Sequence, residues 1–158
     1  MRTRGSPGAL GAVVASVNVG LRVGQKKTPV AEAVLEEGAG VIGDAHCRTP
    51  RQVSLLAYES IEKMVSIGLD VGAGDFAENI TTKNVLLHEL PVGTRLALGE
   101  GPIVEITSIG KACHRRCEIF RKAGHCIMPR EGVFAKVIRG GKIRPGDTVR
   151  ILGRASRR

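Results

Sequence analysis

Aromatic side chains are nearly missing from this sequence: among 158 residues there is no tryptophan, one tyrosine and three phenylalanines. Val, Ile, Leu and Ala must therefore fill the interior, and platforms on which nucleic-acid bases could stack are scarce. Acidic residues are also few, with 15 Asp and Glu against 24 Lys and Arg, a formal charge of +9. That field attracts phosphates, anionic cofactors or acidic partners. No apolar run approaches the roughly 18 residues that a membrane-spanning helix needs, so a soluble chain with no membrane role is expected. No export signal is expected either. Arg2 and Arg4 precede the modestly apolar stretch Ala9 to Val17, but Pro7, Gly8 and Gly11 interrupt it and no small-x-small cleavage site follows. A cytoplasmic location is the expectation. Cys47, Cys113, Cys117 and Cys126 then read as reactive or ligating thiols before disulfide partners.

What the chain has in quantity is glycine, 21 residues spread throughout, which cut it into short apolar segments with turn signals between them. Strands are predicted over Ala12 to Val17, Val53 to Ala57, Arg95 to Leu98, Ile103 to Ile109, Val133 to Ile138 and Thr148 to Leu152, several alternating and several rich in β-branched residues. A helix is predicted from about Glu59 to Ile67, where Ile61, Met64 and Val65 keep helical spacing and Gly68 supplies a stop. A weaker one is expected over Arg115 to Lys122. Val92-Gly93-Thr94 and Arg144-Pro145-Gly146-Asp147 each put a tight turn before a strand, as small barrels require. The expectation is a single mainly β domain over 1–158, barrel-like, with one or two short helices, a core of about 12–152, and frayed ends at 1–8 and 153–158.

The densest chemistry is Lys111-Ala112-Cys113-His114-Arg115-Arg116-Cys117, directly after a predicted strand. On a helix, Cys113 and Cys117 would share one face. Lys111, Arg115 and Arg116 would lower a thiol pKa and favour the thiolate, which attacks sulfur or binds metal. Read without function, the two thiols are small buried hydrophobes beside a solvated basic turn. Adding Cys126, His114 and His125 invites a zinc site, but Cys-x-x-x-Cys with the third cysteine nine residues on matches no ordinary ribbon or finger spacing. Gly43-Asp44-Ala45-His46, followed by Arg48 and Arg51, is a second cluster; Asp44 and His46 share a face if extended. The third is Gly74-Asp75-Phe76-Ala77-Glu78-Asn79-Ile80-Thr81-Thr82, whose Asn79, Thr81 and Thr82 offer neutral hydrogen bonds. Asp75 and Asn79 read equally as residues that fix loops through their own backbone.

The order of these clusters, with Arg51-Gln52-Val53-Ser54-Leu55-Leu56, Leu90-Pro91-Val92-Gly93-Thr94 and Arg144-Pro145-Gly146-Asp147 between and after them, closely resembles the MOSC domain family over about residues 12–152. The family is named for the C-terminal domain of molybdenum cofactor sulfurases. The resemblance implies a β-barrel fold and a protein that handles sulfur or binds the pterin molybdenum cofactor, molybdopterin. It maps the molybdenum-ligating cysteine onto Cys113 or Cys117, the family asparagine onto Asn79, and the start of another cofactor-binding stretch onto Arg51-Gln52. The spacing of the two thiols, three residues instead of two, leaves the choice between Cys113 and Cys117 open. Ala77 stands where small relatives have glycine and cofactor-holding relatives have arginine, and Cys47 replaces a small residue.

On this reading the catalytic candidates are Cys113 and Cys117. Lys111, His114, Arg115 and Arg116 stabilise thiolate and phosphate, while Asp44, His46, Arg51, Gln52, Asn79 and Thr81 shape the pocket. Arg51, Asn79, Arg115 and Arg116 are expected to meet at one phosphorylated ligand. The protein would be a sulfur carrier or a cofactor binder. Full sulfurases also hold a pyridoxal-phosphate-dependent desulfurase domain, for which there is no room here, so the implied partners are a sulfur-donating desulfurase and molybdopterin-processing enzymes. The competing class is a non-enzymatic basic β-barrel that grips nucleic acid, or a zinc-stabilised scaffold; the shortage of aromatics weighs against nucleic acid.

Overall fold

A computed structural model describes residues 11–110 and 127–154. The strands in chain order are β1 (Val13–Val19), β2 (Thr28–Val30), β3 (Ala33–Glu36), β4 (Gly40–Val41), β5 (Val53–Ala57), β6 (Ile80–Lys83), β7 (Thr94–Leu98), β8 (Ile103–Ile109), β9 (Val133–Arg139), β10 (Gly141–Ile143) and β11 (Val149–Arg154). Two α-helices, α1 (Tyr58–Ser66) and the short α2 (Met128–Glu131), and a 3-10 turn at Leu87–Glu89 complete the described elements. Every strand expected from the sequence is present, and α1 begins one residue earlier than its pattern suggested. The second expected helix, over Arg115 to Lys122, lies outside the described residues.

The main sheet has eight strands in the order β11-β7-β8-β9-β5-β6-β1-β2, and β10-β3-β4 form a smaller one. Neighbours are antiparallel except β5 and β6, which run parallel with Leu55 opposite Ile80. A parallel pair needs a crossover, and α1 provides it. Strand β5 is buried on both sides: Val53 and Leu55 enter a large core with Ile80, Leu96, Leu98, Val104, Ile106 and Ile143, while Leu56 faces the opposite way. There it joins Ile61 and Met64 of α1, Phe76, Ile127, Met128 of α2, and Phe134 in a second cluster. Helix α1 therefore forms because its Ile61 and Met64 fit that face, with Glu59 in its first turn complementing the helix dipole.

The expected barrel is not closed by a continuous ladder. The sheet curls until Asp147 and Val149 meet Val14 and Ala12 through backbone hydrogen bonds of 2.7 and 2.9 Å, but only one bridge, Val13 to Thr148, forms between these edges. The physical reason lies in β1. Its second half is taken by β2 through Val17 to Val19, so only its first residues remain for β11. The tail is also more ordered than expected, since Gly153 and Arg154 pair with Arg95 and Thr94. Both turns stand where the sequence put them, with Gly93 and Gly146 at positive φ and the Asp147 amide donating to the Arg144 carbonyl. Among the described residues no helix is long and apolar enough to cross a membrane.

Candidate functional site

A buried polar seam runs from the end of β1 across the loop before β6 to the start of β5. Asn18 is fully buried, and its Nδ2 donates to the Glu78 carbonyl at 3.1 Å and to Thr81 Oγ1 at 3.2 Å. Asn79, also buried, accepts on Oδ1 from the Ser54 amide and hydroxyl at 3.0 and 3.2 Å, while its Nδ2 donates to the Asn18 carbonyl. Backbone bonds run in parallel, from the Asn18 amide to the Asn79 carbonyl and from the Asn79 amide to the Ser54 carbonyl. Asn79 thus fixes three segments together. Of its neighbours, Thr81 gives its hydroxyl to Glu78 Oε2 at 2.7 Å, whereas Thr82 Oγ1 is buried without a partner among the described residues.

Glu78 is the acidic centre of this seam. Its carboxylate also accepts from the Gly74 and Phe76 amides at 2.8 and 3.2 Å, so the loop 74–78 wraps round its own side chain. Burial pushes this carboxyl up from its ordinary value and outweighs the donors that would hold it down, the Gly74 amide, the Thr81 hydroxyl and the Phe76 amide. Two backbone features allow the loop to close. Gly74 lies at positive φ with its Cα packed on the Lys27 carbonyl, where any side chain would collide, and Ala77 adopts φ 65°, a left-handed conformation uncommon outside glycine.

The second cluster adjoins the first through Lys27, whose amide donates to the Gly74 carbonyl. Its ammonium lies 2.8 Å from Asp44 Oδ1, both side chains being wholly buried. The same carboxylate accepts from the Gly20 amide at 3.0 Å and from the His46 amide at 3.0 Å. Residues 44–47 are a turn, not the extended segment that would put Asp44 and His46 on one face, because Asp44 caps the backbone two residues ahead and its carbonyl accepts from the Cys47 amide. His46 Nδ1 stays 3.7 Å from Asp44 Oδ2, an ion pair only when the ring is protonated. Burial pushes the Asp44 carboxyl up, but hydrogen bonds from His46, Lys27 and Gly20 overcome this and hold it well below the usual carboxylate range.

Arg51 is exposed and carries its guanidinium 5.2 Å from the ring centre of Phe134, a cation on an aromatic face. Phe134 lies opposite Ser54 on β5 and Ser108 near the end of β8. Gln52 uses its Oε1 to accept from the Val137 amide at 3.0 Å. Cys47 is a half-buried free thiol whose sulfur has the Arg48 guanidinium at 3.6 Å.

Of the expected site residues, then, Asp44, Gln52, Asn79 and Thr81 have polar atoms committed inside the protein, while Arg51 and His46 present theirs nearer the surface. Lys111, Cys113, His114, Arg115, Arg116 and Cys117 lie outside the described residues, as do the Cys126 and His125 of the zinc alternative. Among the described residues no group of three or more His, Cys, Asp or Glu is placed to hold a metal ion. Lys27, Asn18, Ser54 and Glu78 were not singled out as site residues from the sequence. Lys26-Lys27 reads as a solvated pair, and no periodicity marks Lys27 for burial. A Glu inside an otherwise neutral Asn/Thr run was the one available sign of Glu78.

The described ends of the 111–126 segment are both held at α2. The Gly110 amide donates to the Gly132 carbonyl at 2.6 Å, and Gly110 lies at positive φ with its Cα against the Pro129 carbonyl, while Ile127 leads directly into α2.

The sequence profile of the MOSC domain matches residues 42–150. Among solved structures, the YuaD protein of Bacillus subtilis superposes with a TM-score of 0.73 at 16% identity, over 89% of this chain and 94% of that one. YiiM from Geobacillus stearothermophilus gives 0.66 at 20% identity over 89% and 75% of the two chains, and YiiM from Escherichia coli gives 0.64 at 18% over 94% and 72%. At these identities the likeness is one of fold. No curated protein shows a significant match.

Proposed function

Since this chain belongs to the MOSC domain family, we propose that it binds the molybdenum cofactor or its precursor and carries sulfur through Cys113 or Cys117. The observation that carries the reading is the family match over residues 42–150, which takes in the Arg51, Asn79 and Cys113 to Cys117 motifs together. The donor chemistry of the described part fits an anion at one position: the exposed Arg51 guanidinium, held over the buried Phe134 ring, is suited to a phosphate. When bound, the cofactor would supply a metal centre able to take a cysteine thiolate as a ligand.

In this account Arg51 meets the phosphate, and Lys111, Arg115 and Arg116 hold the thiol of Cys113 or Cys117 as thiolate. Asp44, Asn79 and Thr81 do not touch the ligand. They act as the frame, because their polar atoms are spent on Lys27, Gly20, Ser54, Asn18 and Glu78. Sulfur would reach the protein when this thiolate attacks the outer sulfur of a persulfide on a desulfurase, forming the new persulfide as the desulfurase cysteine leaves as a thiolate; that desulfurase and molybdopterin-processing enzymes are the proposed partners.

Site-resolved alkylation across pH, with each cysteine followed by mass spectrometry, tests the thiol assignment. Cys113 or Cys117 should label fastest near neutral pH, well below the ~8.5 of a free thiol, with Cys126 and Cys47 behind it. Cys47 is the internal control of most value, because it too has a guanidinium beside its sulfur. Slow, equal labelling of Cys113 and Cys117 would return both to a structural role.

A further inference from the structure

Besides the apolar contacts of Met128 and the Gly110 to Gly132 backbone bond, helix α2 is tied to α1 through one carboxylate. Glu131 accepts the Ser60 hydroxyl at 2.5 Å on Oε1 and the Lys63 ammonium at 2.7 Å on Oε2, both from α1. The 3-10 turn supplies a third neighbour: His88 Nδ1 lies 3.7 Å from Glu131 Oε1. That nitrogen is buried and has no hydrogen-bond partner among the described residues. At 3.7 Å a neutral ring makes no bond to the carboxylate, whereas a protonated one makes an ion pair shielded from solvent, the two side chains being 19% and 12% exposed.

We propose that His88 and Glu131 form a proton-operated clamp, closed when the His88 ring is protonated, that fixes α2 against α1 and the 3-10 turn. Protonation of the imidazole is what turns this 3.7 Å contact into an ion pair, so the clamp tightens on acidification. Glu131 stays ionised in both states: burial pushes its carboxyl up, but the Lys63 and Ser60 bonds hold it below the ordinary range, and a protonated His88 adds to this. The other charged side chains on the packed elements are Glu59 and Glu62 on α1, Arg130 on α2, Glu89 beside His88, and Glu105 on β8, which is paired with Arg95 and Lys136; β5 has none. None of these pairs with His88 among the described contacts, so Glu131 is the group that senses the ring. Because Gly110 and Ile127 both attach at α2, the clamp sets the footing of the chain on either side of the cysteine motif. That consequence rests on the proposed thiol function, but the clamp does not.

The test is NMR on the full chain from about pH 8 to about pH 5.5, following the His88 ring together with hydrogen exchange of the Glu131 and Gly132 amides. These donate to the Ile127 and Met128 carbonyls and so report the integrity of α2. Protection, corrected for intrinsic exchange, should rise by roughly two- to five-fold on acidification, follow the His88 titration, and leave β9 amides unchanged. It should be flat in both H88Q and E131Q, whose circular dichroism serves as the check on folding. A rise that persists in a folded H88Q or E131Q, or flat protection in the unaltered protein, overturns the clamp. Cysteine alkylation in the same samples separates the two readings: slow labelling of Cys113 and Cys117 with the titration intact supports the clamp while removing the thiol function.

Discussion

Lys27 and Asp44 form an ion pair at 2.8 Å with no side-chain exposure on either partner. It joins the loop after β1 to the turn after β4. A pair so placed contributes little net energy when complete, but removing one partner strands a buried charge. Lys27→Met should therefore destabilise by about 3–5 kcal/mol, measured as a fall in the urea midpoint. The double variant Lys27→Met with Asp44→Asn should recover much of that loss.

The Asp44 carboxyl is held below the usual range, so its contribution to stability is complete above pH ~4 and is lost as the pH falls below that toward the lowered folded value. Urea titrations between pH 7 and pH 2 should show a steep acid limb that becomes shallower in Asp44→Asn.

Glu78 acts with the opposite sign. Its carboxyl is raised above the ordinary 4.5, so the fold favours the proton, and stability declines as pH rises from the ordinary value through the raised one. Glu78→Gln should remove this decline. Glu78→Ala should cost about 1–3 kcal/mol or more at every pH, because it leaves the Gly74 and Phe76 amides and the Thr81 hydroxyl without an acceptor. Denaturation curves of both variants across pH separate the two effects.

Ala77 occupies φ 65°, where a Cβ atom costs about 1–2 kcal/mol. Glycine relieves that strain and returns part of the gain as unfolded-chain entropy. Ala77→Gly should raise stability by up to about 1 kcal/mol, and Ala77→Val should lower it, both read from thermal midpoints.

The longer apolar strands β5, β8 and β9 were legible as sequence, because Val53, Leu55, Val104, Ile106, Val133 and Val137 repeat at the strand period. Strand β6 was not. Its Thr81 and Thr82 are buried but polar, so the apolar pattern that announces a strand is missing, and its place beside β5 follows from the α1 crossover. The short strands β2, β4 and β10 hold too few residues to show a period. Barrel closure depends on how β1 divides itself between β2 and β11, a tertiary matter that no local pattern encodes. Within the candidate site the motifs marked loops whose polar side chains lie in the buried seam, but not what those side chains bond to. Asn79 and Asp44 look alike as polar ligands in sequence, and only burial distinguishes a residue that braces a loop from one that meets a molecule.

The central claim is that a thiol in the Cys113 to Cys117 motif carries sulfur or molybdenum. Its most direct measurement is mass spectrometry of protein purified without oxygen from a cofactor-producing host, quantifying molybdenum, pterin and cysteine persulfide for the unaltered chain and for Cys113→Ser and Cys117→Ser. The account predicts persulfide or molybdenum with pterin on the unaltered protein, and its loss in one of the two folded serine variants. Protein that carries neither group, or that carries the same amount in both variants, would contradict it.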